Sequence, residues 1–124
     1  MLQIIIAGFG GFIGSAARFW ISTLTYKLLG QDFPYGTLLV NIVGCFLIGF
    51  LMVFFEDRFT ISPDLRIFLT VGILGGFTTF STFSYETVSL LREGSYLTGT
   101  ANVFYHLFFC LAATWFGGIV GKLL

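Results

Sequence analysis

Residues 75–86, GGFTTFSTFSYE, join a glycine pair to six hydroxyl-bearing side chains between Thr78 and Tyr85, phenylalanines at 80 and 83, and a carboxylate at Glu86. Adjacent glycines weaken a helix, so Gly75–Gly76 predicts a break in the chain. The carbonyls released there could bind a cation, and the helix that restarts beyond it would turn a partly positive, amide-rich end toward an anion. In that second helix Phe80 and Phe83 share a face, about 4.5 Å apart along the axis. The edge of a phenyl ring is positive. Two such edges in a narrow space could solvate a small anion without a formal cation, and weak serial sites let an ion leave as well as enter. Ser81 and Ser84 form a second stripe, and Thr78, Thr79 and Thr82 a third, as hydroxyl donors able to replace water. The competing reading is that the phenylalanines are packing residues and that the hydroxyls bond their own backbone.

Two further tracks carry polar atoms. Thr37, Asn41 and Cys45 recur at four-residue spacing, as do Asn102, His106, Cys110 and Thr114, which keeps each set on one side of a helix for a few turns. Such tracks either glue helices together or line a path. Arg18 and Glu86 are ionisable groups inside otherwise apolar runs. Burying Arg18 costs at least roughly 2.5–3.5 kcal/mol unless it snorkels or meets water, and Glu86 reads as a gate, a pairing partner or an end-of-span anchor. His106 has no Ser/His/Asp or metal-ligand company, which argues against an enzyme. Cys45 and Cys110, in apolar surroundings, read as packing residues rather than a disulfide or metal site.

The elements that must carry these residues follow from composition. The chain has 124 residues, 56% hydrophobic and 10% charged, against about 25% charged in an ordinary soluble domain. Uncharged runs cover Phe33–Phe55 and Gly94–Gly121, each longer than the roughly 20 residues that cross a bilayer core. Two more candidates are interrupted only by Arg18 and by Glu86. The resulting expectation is an all-α, single-domain membrane protein with four spans, at about 2–26, 36–55, 67–91 and 97–121, the third broken. Connections fall at Lys27–Tyr35, Glu56–Arg66 and Arg92–Tyr96, which leaves no room for a soluble domain. The first apolar run follows Met1 without a basic segment and reads as a span, not a cleavable signal. Zero formal net charge and the lack of a basic cluster exclude nucleic acid as a partner. The glycines of GFGGFIG lack the spacing of a dinucleotide-binding loop.

With four spans, Arg58, Arg66 and Lys122 share one side and Lys27 and Arg92 the other, almost no inside-positive bias. Insertion in both orientations would make an antiparallel homodimer natural, the second copy supplying the inverted repeat that larger transporters encode internally. Small residues at four-residue spacing, Ala7 and Gly11, Gly10 and Gly14, Gly117 and Gly121, serve close helix contact, either between copies or within one chain.

GFIGSAARF at 11–19, PYGTLLVNIVGCFLIG at 34–49, GGFTTFSTFSYE at 75–86 and the fourth-span track together resemble the Fluc (CrcB) family of fluoride channels over essentially the whole chain. The resemblance implies an antiparallel, dual-topology homodimer in the bacterial plasma (inner) membrane, with two separate fluoride pores and a central structural sodium ion. It also implies passive export of fluoride and hence fluoride resistance. By position, Gly75 and Thr78 match backbone-carbonyl sodium ligands, Phe80 and Phe83 the paired aromatic box, and Asn41 the pore amide. Ser81 and Thr82 match polar pore positions. Asn102, His106, Cys110 and Thr114 match the fourth-span track, with Cys and His where relatives often hold Ser or Tyr; a thiol is the poorer donor, and His106 introduces a pH-sensitive group. Arg18 and Glu86 match family positions, and Thr37 and Ser84 are accessory candidates. The alternatives are a small proton-coupled exporter of organic cations, which would need an acid in the first span where this chain has Arg18, and a non-transporting assembly subunit.

Overall fold

A computed structural model describes residues 1–57 and 60–124; Arg58, one of the charges in the orientation argument, lies outside the described residues. The described elements are helical: α1 (Leu2–Leu29), α2 (Tyr35–Asp57), α3 (Pro63–Arg66), a π-helical stretch (Ile67–Leu74), α4 (Gly75–Phe77), α5 (Phe80–Arg92) and α6 (Tyr96–Leu123). Among the described residues, four helices are long and apolar enough to cross a membrane, the third being Pro63–Arg92 as a whole. The 28 residues of α1 extend about 42 Å, beyond a hydrocarbon core of roughly 30 Å, so its ends reach the polar interface. There α1 stops at Gly30 and α5 runs out at Gly94, with φ of 87° and 85°, a conformation that glycine adopts without a Cβ clash. Ser62 opens the third span, its Oγ accepting from Leu65 N–H at 3.2 Å, with Pro63 at the first helical position.

The third span bends, but not at the glycines. Gly75 has φ −62° and ψ −37° and continues the helix; the break comes at Thr78 (φ −88°, ψ 157°) and Thr79 (φ −151°, ψ 114°). Extended backbone suits β-branched residues, and the reason for the glycines is proximity. A Cβ on Gly76 would lie 2.6 Å from the Gly11 carbonyl oxygen, and one on Gly10 would lie 2.6 Å from that of Phe68. A Cβ on Gly14 would overlap the Ile73 carbonyl. The glycine stripe of α1 therefore seats the first half of the third span within one chain. Gly117 does the same for α6, its Cβ position coinciding with the Phe46 carbonyl of α2.

The bend lets one span serve two partners. Its first half packs on α1, whereas α5 packs on α6, and α2 with α6 forms the most extensive pairing. The interior among the described residues is small and rather polar: Val40, Phe55, Leu74 and Phe77 are buried alongside Thr25, Thr37, Asn41, Thr87, Asn102 and His106. Large apolar side chains such as Phe9, Phe12, Trp20, Phe108 and Trp115 point outward, the arrangement expected where lipid is the solvent.

Because Gly117 is in backbone contact, Gly117→Val is expected to destabilise the detergent-solubilised protein by about 1–3 kcal/mol. A Cβ on Gly8 meets nothing within 4 Å, so Gly8→Ala serves as the comparison. Thermal unfolding of the two variants checks the prediction, and equal midpoints would contradict it.

Candidate functional site

The break at Thr78–Thr79 is held by one side chain. Asn41, buried in α2, accepts from the Thr79 N–H through Oδ1 at 2.8 Å and donates to the Thr79 carbonyl through Nδ2 at 3.0 Å. A continuous helix would send that N–H to the Gly75 carbonyl. The carboxamide thus stands in for the missing helical turn, and a second constraint comes from Gly44, where a Cβ would overlap the Thr78 side-chain methyl. The α5 helix restarts with Thr79 as its cap: Oγ1 accepts from Thr82 N–H at 3.2 Å.

Beside the break lies a cavity of about 400 Å³ whose lining includes Asn41, Cys45, Gly75, Thr78, Thr79, Phe80, Phe83, His106 and Cys110. Phe80 and Phe83 face one another at 5.3 Å between centroids, their planes inclined by 56°. Among the described residues lining it, none is Lys or Arg. Phe83 also packs on the His106 ring at 4.3 Å. His106 Nδ1 lies 3.1 Å from the Asn102 carbonyl, which can only accept, so in the neutral ring the proton sits on Nδ1 and Nε2 carries a lone pair. That Nε2 is buried without a hydrogen-bond partner.

The fourth-span track does not act as one line. Asn102, fully buried, donates through Nδ2 to Thr87 Oγ1 at 2.9 Å, and Thr87 in turn donates to the Phe83 carbonyl at 2.8 Å. Asn102 therefore braces α5 against α6. His106 and Cys110 reach the cavity, while Thr114 donates to the Cys110 carbonyl at 3.1 Å and lines a different pocket. Thr78 likewise spends its hydroxyl on the Leu74 carbonyl at 3.0 Å. Four-residue spacing cannot distinguish these fates, since a hydroxyl that bonds its own helix and one that lines a path share it.

Of the remaining candidates, Ser81 and Ser84 are exposed and outside the cavity. Thr82 turns to the opposite side, into a second cavity of about 360 Å³ shared with Arg18, Ser22, Tyr26, Thr37 and Thr79. Arg18 thus faces a polar recess instead of lying wholly against lipid. Thr79 borders both cavities and is the residue common to them. Glu86 joins Thr37, whose Oγ1 donates to Oε1 at 2.7 Å, and Tyr26, whose hydroxyl lies 3.4 Å from the same oxygen. Sequence reasoning missed Gly44, Tyr26 and Thr87, because each acts through a contact far away in the chain; it also missed the π-helical stretch, which leaves no signature in residue type.

Among the described residues, four helices fit to cross a membrane, a bent third span and an aromatic-lined recess beside the bend define a small multi-pass membrane protein. The profile described as "CrcB-like protein, Camphor Resistance (CrcB)" matches residues 5–118. The chain belongs to this CrcB family. It is 51% identical over 121 residues to "Fluoride-specific ion channel FluC" of Geotalea uraniireducens (strain Rf4), covering 98% of this chain and 97% of that one. The protein of the same name from Geobacter metallireducens is 49% identical over 117 residues, 94% of each chain. That from Clostridium perfringens (strain 13 / Type A) is 50% identical over 107 residues, 86% of this chain and 84% of that one.

Asn41→Ala would leave the Thr79 N–H and carbonyl unpaired, at a cost of roughly 1–3 kcal/mol for each buried group. Faster amide hydrogen exchange is expected in the peptide spanning 78–82, with α1 unaffected. Unchanged protection there would show that the clamp is not what holds the break.

Proposed function

We propose that this protein is a fluoride-selective channel that lets cytoplasmic fluoride leave passively down its electrochemical gradient and so confers fluoride resistance. The observation that carries the reading is the convergence of two phenyl rings and the start of α5 on one recess whose described lining contains no Lys or Arg. The relatives' name, fluoride-specific ion channel, agrees with it. Fluoride is small and holds its water tightly. Ring edges and helix-start amides replace that water with partial charges, and no full charge traps the ion.

The functional unit is an antiparallel, dual-topology homodimer. Phe80 is 78% exposed in the single chain, and Gly75, in the same cavity lining, is exposed as well. A backbone break with an exposed flank is untenable in hydrocarbon, so a second copy is the natural cover. The near balance of positive charges on the two sides permits the opposite insertion that such a pairing needs.

A structural sodium ion belongs to the same reading, held by the carbonyls of Gly75 and Thr78 from both copies. These groups fit a hard cation, which takes oxygen ligands. Thr79 N–H is diverted to Asn41, leaving the Gly75 carbonyl without its helical donor, and Thr78 is extended, with ψ of 157°, which turns its carbonyl off the helix axis.

Fluoride-electrode recording of efflux from proteoliposomes, with and without a proton ionophore, tests the substrate and its coupling together. Rapid efflux limited by charge balance and released by the ionophore is expected; proton-linked uptake of an organic cation, or no flux of either kind, would overturn the channel reading. Phe80→Ile and Phe83→Ile are each expected to lower fluoride flux about tenfold, equivalent to losing roughly 1.4 kcal/mol of ring-edge stabilisation, with size-exclusion profiles unchanged. Wild-type flux in both variants would remove the aromatic rings from the mechanism. Replacing Na⁺ by a bulky organic cation should lower the thermal midpoint of the purified protein, as loss of a ligand bound only by the folded state requires; an unchanged midpoint would count against the sodium site.

A further inference from the structure

His106 is the chain's single histidine, and conduction past ring edges and helix-start amides makes no use of its nitrogens. The side chain is 6% exposed, lines the recess beside the break and packs on Phe83 at 4.3 Å between ring centroids. Nδ1 is committed to the Asn102 carbonyl at 3.1 Å. Nε2 is buried with no hydrogen-bond partner, so the neutral ring keeps a desolvated lone pair, and a buried acceptor left unpaired is costly. A proton satisfies it and turns the ring into a cation. We propose, on the reading that fluoride occupies this recess, that His106 takes up this proton together with the anion, so that the recess binds the two as a linked pair and holds fluoride more tightly as pH falls.

Charge balance carries the linkage. A buried charge is costly unless an opposite one accompanies it, and among the described residues the lining holds no carboxylate to pair with an imidazolium. On α2 the lining presents the thiol of Cys45, on α6 that of Cys110 and on α5 only Phe80 and Phe83, so the two thiols are the titratable groups that share the recess with His106. Tyr105, the preceding residue, packs on Phe33 and Phe109. Glu86, about one turn beyond Phe83, is engaged elsewhere: its Oε1 accepts from Thr37 and Tyr26, and it borders a separate cavity with Asp32 and Glu93. Arg18 lies in the recess on the other side of Thr79. An anion entering the recess is therefore the counter-charge for a protonated His106, and the proton in turn strengthens the anion's hold. The proton comes from water and adds to Nε2, while Nδ1–H stays on the Asn102 carbonyl, so no other bond changes. With the ring neutral, partial charges let fluoride leave; with the ring charged, a full cation beside Phe83 retains it.

One histidine per chain makes the test direct. Full-length protein carrying isotopically labelled histidine is titrated in detergent from about pH 8 to about pH 5, the range in which an imidazole ordinarily changes charge, once in saturating sodium fluoride and once in sodium gluconate, whose bulky anion does not fit the recess. Nitrogen NMR is expected to show the Nδ1–H tautomer at the alkaline end and a protonation midpoint about one pH unit higher in fluoride, the shift that a tenfold preference of fluoride for the protonated ring requires. Equal midpoints in the two salts, or a ring that stays neutral in fluoride throughout, overturn the proposal. In voltage-clamped bilayers the wild-type fluoride current should fall several-fold over the same pH range, and a decline that persists in His106→Gln would assign the proton to another group and equally overturn it. The ring titration does not depend on conduction. Protein that conducts fluoride but titrates identically in both salts refutes the linkage alone, and protein that shows the shift without conducting supports the linkage while removing the channel reading.

Discussion

The site depends on a single carboxamide. A span that leaves the helical path inside a membrane exposes backbone groups that hydrocarbon cannot satisfy, at several kcal/mol for each. Asn41 meets that constraint by bonding both the N–H and the carbonyl of Thr79. Its amide has one donor pair and one acceptor, so it matches an extended peptide unit as another strand would. Asp would lack the donor, Leu would lack both, and Ser would be too short. The break is therefore a two-helix object: half of it is written in the third span and half in the second.

Once the break is held, the rest of the packing follows from it. The first half of the third span stays against α1 because glycines at 10, 14 and 76 allow backbone to meet backbone. Beyond Thr79 the chain leaves α1, and α5 docks on α6 through the Asn102–Thr87 hydrogen bond and the Phe83–His106 ring contact. This divergence opens recesses on both sides of Thr79, one aromatic and one bordered by Arg18 and Thr82. An ion passing between them would meet the hydroxyl and backbone of Thr79 on the way. The proposed path thus has an intermediate step set by the same residue that Asn41 fixes.

Polar groups in this molecule divide between those that satisfy the protein and those that remain available. Thr78, Thr87 and Thr114 donate to carbonyls four residues back, and Asn102 is locked in the α5–α6 brace. Phe80, Phe83 and Cys110 retain surfaces toward the cavity, whereas Thr79, which also lines it, spends its N–H, carbonyl and hydroxyl on Asn41 and Thr82. Phe80 shows most of its ring outside the single chain, so the aromatic pair is half enclosed by its own protomer. The proposed second copy would complete the enclosure.

Amphipathic spacing and hydropathy alone determined that the chain is all-α with four crossing segments, since each apolar run exceeds the membrane thickness and charges mark the turns. Residue type also marked 75–86 as the chemically loaded stretch and made Phe80 and Phe83 neighbours, because three-residue spacing has one outcome in a helix. The position of the break was not legible: Gly75–Gly76 are poor helix formers in isolation, but there they relieve crowding against α1, and the extended residues are threonines. Nor did spacing reveal which members of the Asn102, His106, Cys110 and Thr114 track brace helices and which face the cavity. Those outcomes belong to tertiary structure, because they turn on contacts between residues tens of positions apart, such as Asn41 with Thr79 and Thr37 with Glu86, whose free energies no local pattern encodes.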